Sequence, residues 1–218
     1  MKVVVVGAGV IGASVAYHLA KAGAQVTVVD GAGVAAGATG RSFGWINASF
    51  HADEAHFRLR HESIVAYHRI AQQMDLEAVR WTGCLCWEEK GGALEAQAAT
   101  LAALGYGVDI IDRAEFARRE PHLANPPAQA LAFDAEGVAE TATLAQALID
   151  AATGLGAQLL LGVTALAVET AGDTVTGLRI EQGVIPADRV VVCTGTGSPG
   201  LLASVGVALP MLSRPGLL

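Results

Sequence analysis

Apolar residues open the chain as a β-branched run, residues 3–6, the pattern of a strand buried on both faces. The run stops at Gly7-Ala8-Gly9-Val10-Ile11-Gly12. Beyond it, Ile11, Val15, Leu19 and Ala22 recur at helical spacing and predict a helix that Gly23 ends. Residues 26–29 form a second apolar run, with Asp30 at its tip. Residues 52–74 then predict a helix with Ile64, Tyr67, Ala71 and Met74 on one face. A strand over 81–88, an alanine-rich helix over 92–104, a short strand over 108–111 and a short helix over 113–119 follow. Pro121, Pro126 and Pro127 break the chain before a strand over 128–133. Leu144, Leu148, Ala151 and Leu155 mark a helix ending near 154–156. Strands are expected over 158–161, 164–170, 174–181 and 188–192, with Gly172-Asp173 and Gly183 as turns.

The opening strand, glycine turn, helix, second strand and terminal acid together make a βαβ unit suited to a dinucleotide. Gly7 permits the tight turn, Gly9 lets backbone approach a pyrophosphate, and Gly12 lets helix pack on strand. The helix N-terminus offers N–H groups and a positive dipole end to a diphosphate. Asp30 can accept from both hydroxyls of an adenosine ribose. A GxGxxG turn alone says little, and an ordinary βαβ unit with a glycine-rich turn is the other reading. What strengthens the first is that every part stands in register. Lys2 and the apolar residues up to Ala20 imitate a signal peptide or a membrane span. The glycines interrupt that stretch at dinucleotide-turn spacing, and a matching strand and acid lie beyond it. The expectation is a soluble, cytoplasmic protein with no membrane span.

Composition narrows the class. Of 218 residues, 52% are hydrophobic and 16% charged, which excludes a disordered chain. A net charge of −7, with no basic cluster beyond Arg118-Arg119, excludes nucleic acid as a partner. Cys84, Cys86 and Cys193 fit a reducing compartment, and Cys84-x-Cys86 has neither zinc nor redox spacing. His51, His56 and His61, five residues apart, fall on different helix faces, while His61 and His68 stand roughly 10 Å apart. No metal site is expected. Glu88-Glu89 and Arg118-Arg119-Glu120 are solvated charges, and no catalytic residue is assigned. The stretch 31–50 is small, glycine-rich and almost uncharged apart from Arg41. Gly40, Ser42 and Gly44 offer close backbone, Arg41 a phosphate partner, and Trp45 a surface for a ring. A ligand-ordered loop and a flexible surface loop both fit this composition.

The βαβ unit, followed by GATGRSFGWINA, resembles the start of the D-amino-acid oxidase, glycine oxidase and sarcosine oxidase superfamily. The resemblance implies an α/β fold: a Rossmann-like FAD-binding domain of the glutathione-reductase βαβ type, with part of an inserted α+β substrate domain. It implies FAD as cofactor and an amine or amino acid as substrate, oxidised by hydride transfer from the α-carbon to flavin N5 and hydrolysis of the imine. The cofactor-binding residues it implies are Gly7, Ala8, Gly9, Val10, Ile11, Gly12 and Asp30, then Thr39, Gly40, Arg41, Ser42, Gly44 and Trp45. In that family the second segment runs past the pyrophosphate to the isoalloxazine ring, and Glu is usual where Asp30 stands. A strand around 163–165, including Ala165, would lie along the adenine, and Thr194, Gly195 and Gly197 would close on the dinucleotide. The implied layout is a cofactor domain at 1–80 and 134–205, part of the substrate domain at 81–133, and a return towards it at 206–218. That return, around Arg214-Pro215-Gly216, stops where relatives continue. The expectation is an incomplete chain, needing a partner chain or a C-terminal half and inactive alone. A nicotinamide-dependent dehydrogenase and a non-catalytic nucleotide-binding subunit remain the alternatives.

Overall fold

The structure, a computed structural model, describes residues 1–74 and 76–212. Contacts group them into two compact units: Met1–Phe43 with the chain from Glu140 onward, and Gly44–Ala139 between them.

The first unit is built on β1 (Lys2–Val6), whose four valines are at most 3% exposed. β-Branched side chains with covered faces on both sides favour this central position. α1 (Val10–Lys21) and β2 (Gln25–Asp30) follow. The sheet is parallel, in the order Arg189–Val192, β1, β2, Gln158–Leu161. Val6 stands level with Val192 on one side and Val29 on the other, so three strand ends open on the same edge. An antiparallel three-stranded sheet, Ala165–Ala171, Thr174–Ile180 and Gly183–Pro186, packs Val168 and Leu178 into a core with Val4, Val6, Val29 and Leu201. The strand Gly183–Pro186 falls where the sequence suggests only a turn.

The helix after the glycine turn buries a different face from the one expected. Gly12, Ala13, Ala16, Tyr17 and Ala20 are buried, whereas Ile11 is 66% exposed. The reason lies far away in sequence: α1 packs against helix Thr141–Gly154, whose buried side is Leu144, Ala145, Leu148, Ile149 and Ala152. The small residues of α1, Gly12, Ala13, Ala16 and Ala20, leave room for Leu144, Leu148 and Ile149 of that helix, and leucine-sized groups on both sides would hold the two apart.

The second unit holds two antiparallel sheets, Trp45–Ile46/Gly137–Ala139/Val79–Arg80 and Cys84–Cys86/Gln129–Phe133/Asp109–Asp112. Helices Gly92–Ala103 and Arg113–Arg119 lie near their expected places. The long helix is shorter than expected, Glu54–Ala71, because the Asp53 carboxylate accepts the His56 N–H at 2.8 Å and starts it. The expected strand over 81–88 narrows to Cys84–Cys86. The seams fall after residues 43 and 139, whereas the sequence expectation set them after 80 and 133. Helix Glu54–Ala71 belongs to the middle unit because buried Phe57 packs edge-on against Tyr106, 5.6 Å between ring centres. Ala139 N–H likewise donates to the Gly44 carbonyl at 2.8 Å. Arg214-Pro215-Gly216 lies outside the described residues.

Candidate functional site

At the carboxyl ends of β1, β2 and Arg189–Val192 the first unit encloses a cavity of about 900 Å3. Open α/β sheets place ligand sites at this edge, where strand order reverses around the first strand. Five segments line it: Val6 with the glycine turn, residues 29–32, residues 36–39, residues 163–166 and residues 192–198. Widely separated parts of the sequence therefore converge. Of the residues singled out above, Gly7, Gly9, Val10, Ile11, Asp30, Thr39, Ala165, Thr194, Gly195 and Gly197 line the cavity. Ala8 and Gly12 are buried within the turn itself.

The glycines of the turn answer to distinct constraints. Gly7 has φ +108°, and a Cβ there would meet the Cys193 carbonyl oxygen at 2.4 Å. A Cβ on Gly12 would stand 1.8 Å from the Gly7 carbonyl oxygen, so this position closes helix onto turn. At Gly9 a Cβ would meet only the Thr39 hydroxyl, at 3.0 Å. That hydroxyl accepts the first N–H of α1, from Val10, at 3.0 Å. Thr39 thus caps the helix from outside its own segment.

Asp30 is already engaged. Its Oδ2 accepts the Ala8 N–H at 2.8 Å, and its Oδ1 accepts those of Ala32 at 2.8 Å and Gly33 at 3.0 Å. The carboxylate ties the glycine turn to the loop that follows, while its half-exposed edge still faces the cavity.

The loop after Asp30 is held by the protein's own hydrogen bonds. Ala35 N–H donates to the Ala8 carbonyl at 3.1 Å, and Gly40 N–H to the Ala35 carbonyl at 2.9 Å. Arg41, considered above for a phosphate, donates from Nη1 to the carbonyls of Ala36 and Gly37, 3.0 Å each. Thr141 donates to the Thr39 carbonyl at 2.5 Å. Gly40, Arg41 and Ser42 are not among the described lining residues, and Gly44 and Trp45 belong to the second unit.

Several site residues escape sequence reading. Cys193 lines the cavity as a half-buried thiol, pushed above the ordinary thiol range by burial. Val163, Thr164 and Thr196 line it too, and Ser198 shares a 3.1 Å hydrogen bond with Thr194. Small polar residues in turns are too common for the sequence to single these out. Among the described residues no group of acids, histidines and cysteines is arranged for a metal ion. His68 instead stacks on Trp81 at 4.0 Å, and His61 on Phe57 at 5.7 Å.

Similarity to known proteins follows the same geometry. A D-amino acid dehydrogenase of Rhodopseudomonas palustris is 28% identical over 275 aligned positions, covering 99% of this chain and 65% of that protein. One from Rhizobium rhizogenes is 30% identical over 279 positions, covering 99% and 66%. The chain therefore spans just under two thirds of the length of these curated relatives. Glycine oxidase from Geobacillus kaustophilus superposes with a TM-score of 0.85 at 25% identity, over 95% of this chain and 58% of that one. The family described as FAD dependent oxidoreductase matches residues 2–216, the glycine turn and every cavity-lining segment included, and the chain belongs to it.

Proposed function

We propose that the cavity of the first unit holds FAD and that the chain is part of an enzyme oxidising an amine or amino acid. The observation that carries this reading is the convergence of the glycine turn, Asp30, Thr39, residues 163–166 and residues 192–198 on one cavity. Gly9 and the N-terminus of α1 would receive the diphosphate, with side chains absent where the backbone must come close. Asp30, fixed by three backbone N–H groups, would present its remaining lone pairs to the ribose hydroxyls. Ala165 and its neighbours would flank the adenine, and Thr194, Gly195 and Gly197 the middle of the dinucleotide. Ser42 would serve the ring end.

When bound, FAD supplies the acceptor for a hydride from the substrate α-carbon, leaving an imine that water hydrolyses. The chain's contribution is position and electrostatics, and no residue is assigned a proton-transfer role. An amine or amino acid is the substrate class indicated by the names of the relatives. The half-buried free thiols Cys84, Cys86 and Cys193 fit a reducing cytoplasm, and no described helix is long and apolar enough to cross a membrane.

The test is to denature the purified protein and identify the released ligand by chromatography against FAD, FMN and NAD(H). FAD is expected, and NAD(H) or FMN alone would overturn the reading. Bleaching of the flavin by at least one compound in a panel of D-amino acids, glycine and N-methyl amines, under anaerobic conditions, tests the substrate class. Bleaching by one of them would support the class and overturn the expectation that the chain is inactive alone, and bleaching only by compounds outside the panel would exclude the class.

A further inference from the structure

Glu136 is 0% exposed, yet it carries a carboxylate. It sits in the turn between strands Gln129–Phe133 and Gly137–Ala139. Its Oε1 accepts three hydrogen bonds: from Ala48 N–H at 3.2 Å, Ser49 N–H at 3.0 Å and the Tyr106 hydroxyl at 2.9 Å. Its Oε2 accepts one, from the Trp45 indole Nε1–H at 3.0 Å. Its own carbonyl receives the Gly83 N–H at 2.9 Å. No cation pairs with it among the described residues.

A buried carboxylate without donors costs several kcal/mol, so folds retain one only where donors converge on it. Here four neutral donors, two backbone amides, a phenol and an indole, converge on Glu136. The surroundings respond accordingly. Burial, reinforced by the adjacent Glu136 charge, pushes the Cys84 thiol up to about 12 and holds the Tyr106 hydroxyl protonated well above its ordinary range.

Three parts of the unit meet at this one residue, two on its side chain and one on its backbone carbonyl. They are the segment 45–49, Tyr106 beyond helix Gly92–Ala103, and Gly83 ahead of strand Cys84–Cys86. The segment 45–49 is held from other sides too: Trp45–Ile46 pairs with Gly137–Ala139, and the Asn47 side-chain oxygen accepts from Arg60 Nη1 at 2.8 Å.

We propose that Glu136 is the positioning residue for Trp45, Ala48 and Ser49. It orients the indole through Oε2 and pins the two backbone amides through Oε1. Any part Trp45 plays towards a cofactor rests on the function proposed above. The link between Glu136 and Trp45 does not, and it is read in protein stripped of cofactor.

The two oxygens make the test specific. A Glu136→Gln side chain in the same place can keep its oxygen on Ala48, Ser49 and Tyr106. Its NH2 group must then face the Trp45 indole N–H, donor against donor. The experiment labels the tryptophans of the cofactor-free protein with 15N and assigns the Trp45 indole resonance by its loss in Trp45→Phe. In the wild type that N–H should exchange with solvent at least about tenfold more slowly than the Trp87 indole, whose residue is 42% exposed. In E136Q the Trp45 resonance should shift and lose this protection, while the amides of Ala48 and Ser49 keep theirs. A Trp45 indole that exchanges freely in the wild type, or an E136Q resonance unchanged in position and protection, overturns the proposal. The wild-type measurement stands even if E136Q fails to fold. Release of no flavin by the native protein would count against the proposed function and leave this assignment untouched.

Discussion

Gly12 and Gly9 stand three residues apart in one turn, yet substitution should affect them in different ways. A Cβ on Gly12 would lie 1.8 Å from a backbone oxygen of the same turn, which no side-chain rearrangement relieves. Gly12→Ala should therefore lose about 1–3 kcal/mol of stability, as overpacked sites do, and lose flavin with it. Thermal melts of the cofactor-free protein check this, and an unchanged melt would move the close contact elsewhere. Gly9→Val meets only the Thr39 hydroxyl and otherwise projects into the cavity. It should melt near the wild type and yet retain no flavin, and a folded variant with normal flavin content would contradict the diphosphate placement. Asp30 departs from what its position in the sequence suggests. Read alone, Asp30→Ala costs only affinity for the ribose. In the structure it also removes three charge-assisted N–H bonds, a loss of roughly 1.5–3 kcal/mol for the group. The variant should show both a lower melting temperature without cofactor and a roughly tenfold or greater loss of FAD affinity. A drop in affinity with an unchanged melt would show that the backbone bonds carry no weight.

Among the elements, the loop from residue 31 to 41 shows best what a pattern of residues can and cannot say. Its glycines and alanines read equally as a mobile surface loop or as a ligand-ordered one. Neither reading anticipates that Asp30, Thr39 and Arg41 order it from within, because hydrogen bonds to carbonyls and single N–H groups leave no periodic trace. The sheets of the middle unit raise a question of pH. Cys84 titrates near 9.0 in an unfolded chain and is pushed up to about 12 here. Tyr106, Tyr67 and Cys193 are raised as well, each by burial first. Raised values mean that the native state keeps protons the unfolded chain has already released. The stabilisation from these groups is thus complete below pH 9 and declines as pH rises from 9 towards 12. Urea midpoints measured at intervals from pH 8 to pH 11 should fall steadily above pH 9, and a flat profile would place these groups in contact with water.

At the scale of the whole molecule, the cofactor reading makes a prediction about distribution. FAD at a hundredfold excess over its dissociation constant should stabilise the protein by about 2.7 kcal/mol. The slowed amide exchange should appear in segments far apart in sequence: residues 7–12, 30–39, 163–166 and 193–198. Protection confined to the glycine turn would mean a smaller ligand or a different site. The sequence by itself determined the strand, helix and strand that open the first unit, the glycine turn between them and the acid at the tip of β2. Those features are local: a strand's apolar run, a helix period and glycine spacing each depend on a few neighbouring residues. Only the tertiary structure decided which face of α1 is buried, since helix Thr141–Gly154 supplies the opposing surface from more than a hundred residues away. It likewise decided that Asp30 serves backbone as well as cavity, that Arg41 turns onto its own loop, and that the seams fall at 43 and 139. Glu136 is the plainest instance. In the sequence it is one acid in a short turn, and a buried, hydrogen-bonded carboxyl group is recognisable only once Trp45, Ala48, Ser49 and Tyr106 surround it, because burial and partners belong to the assembled fold and to no stretch of the chain.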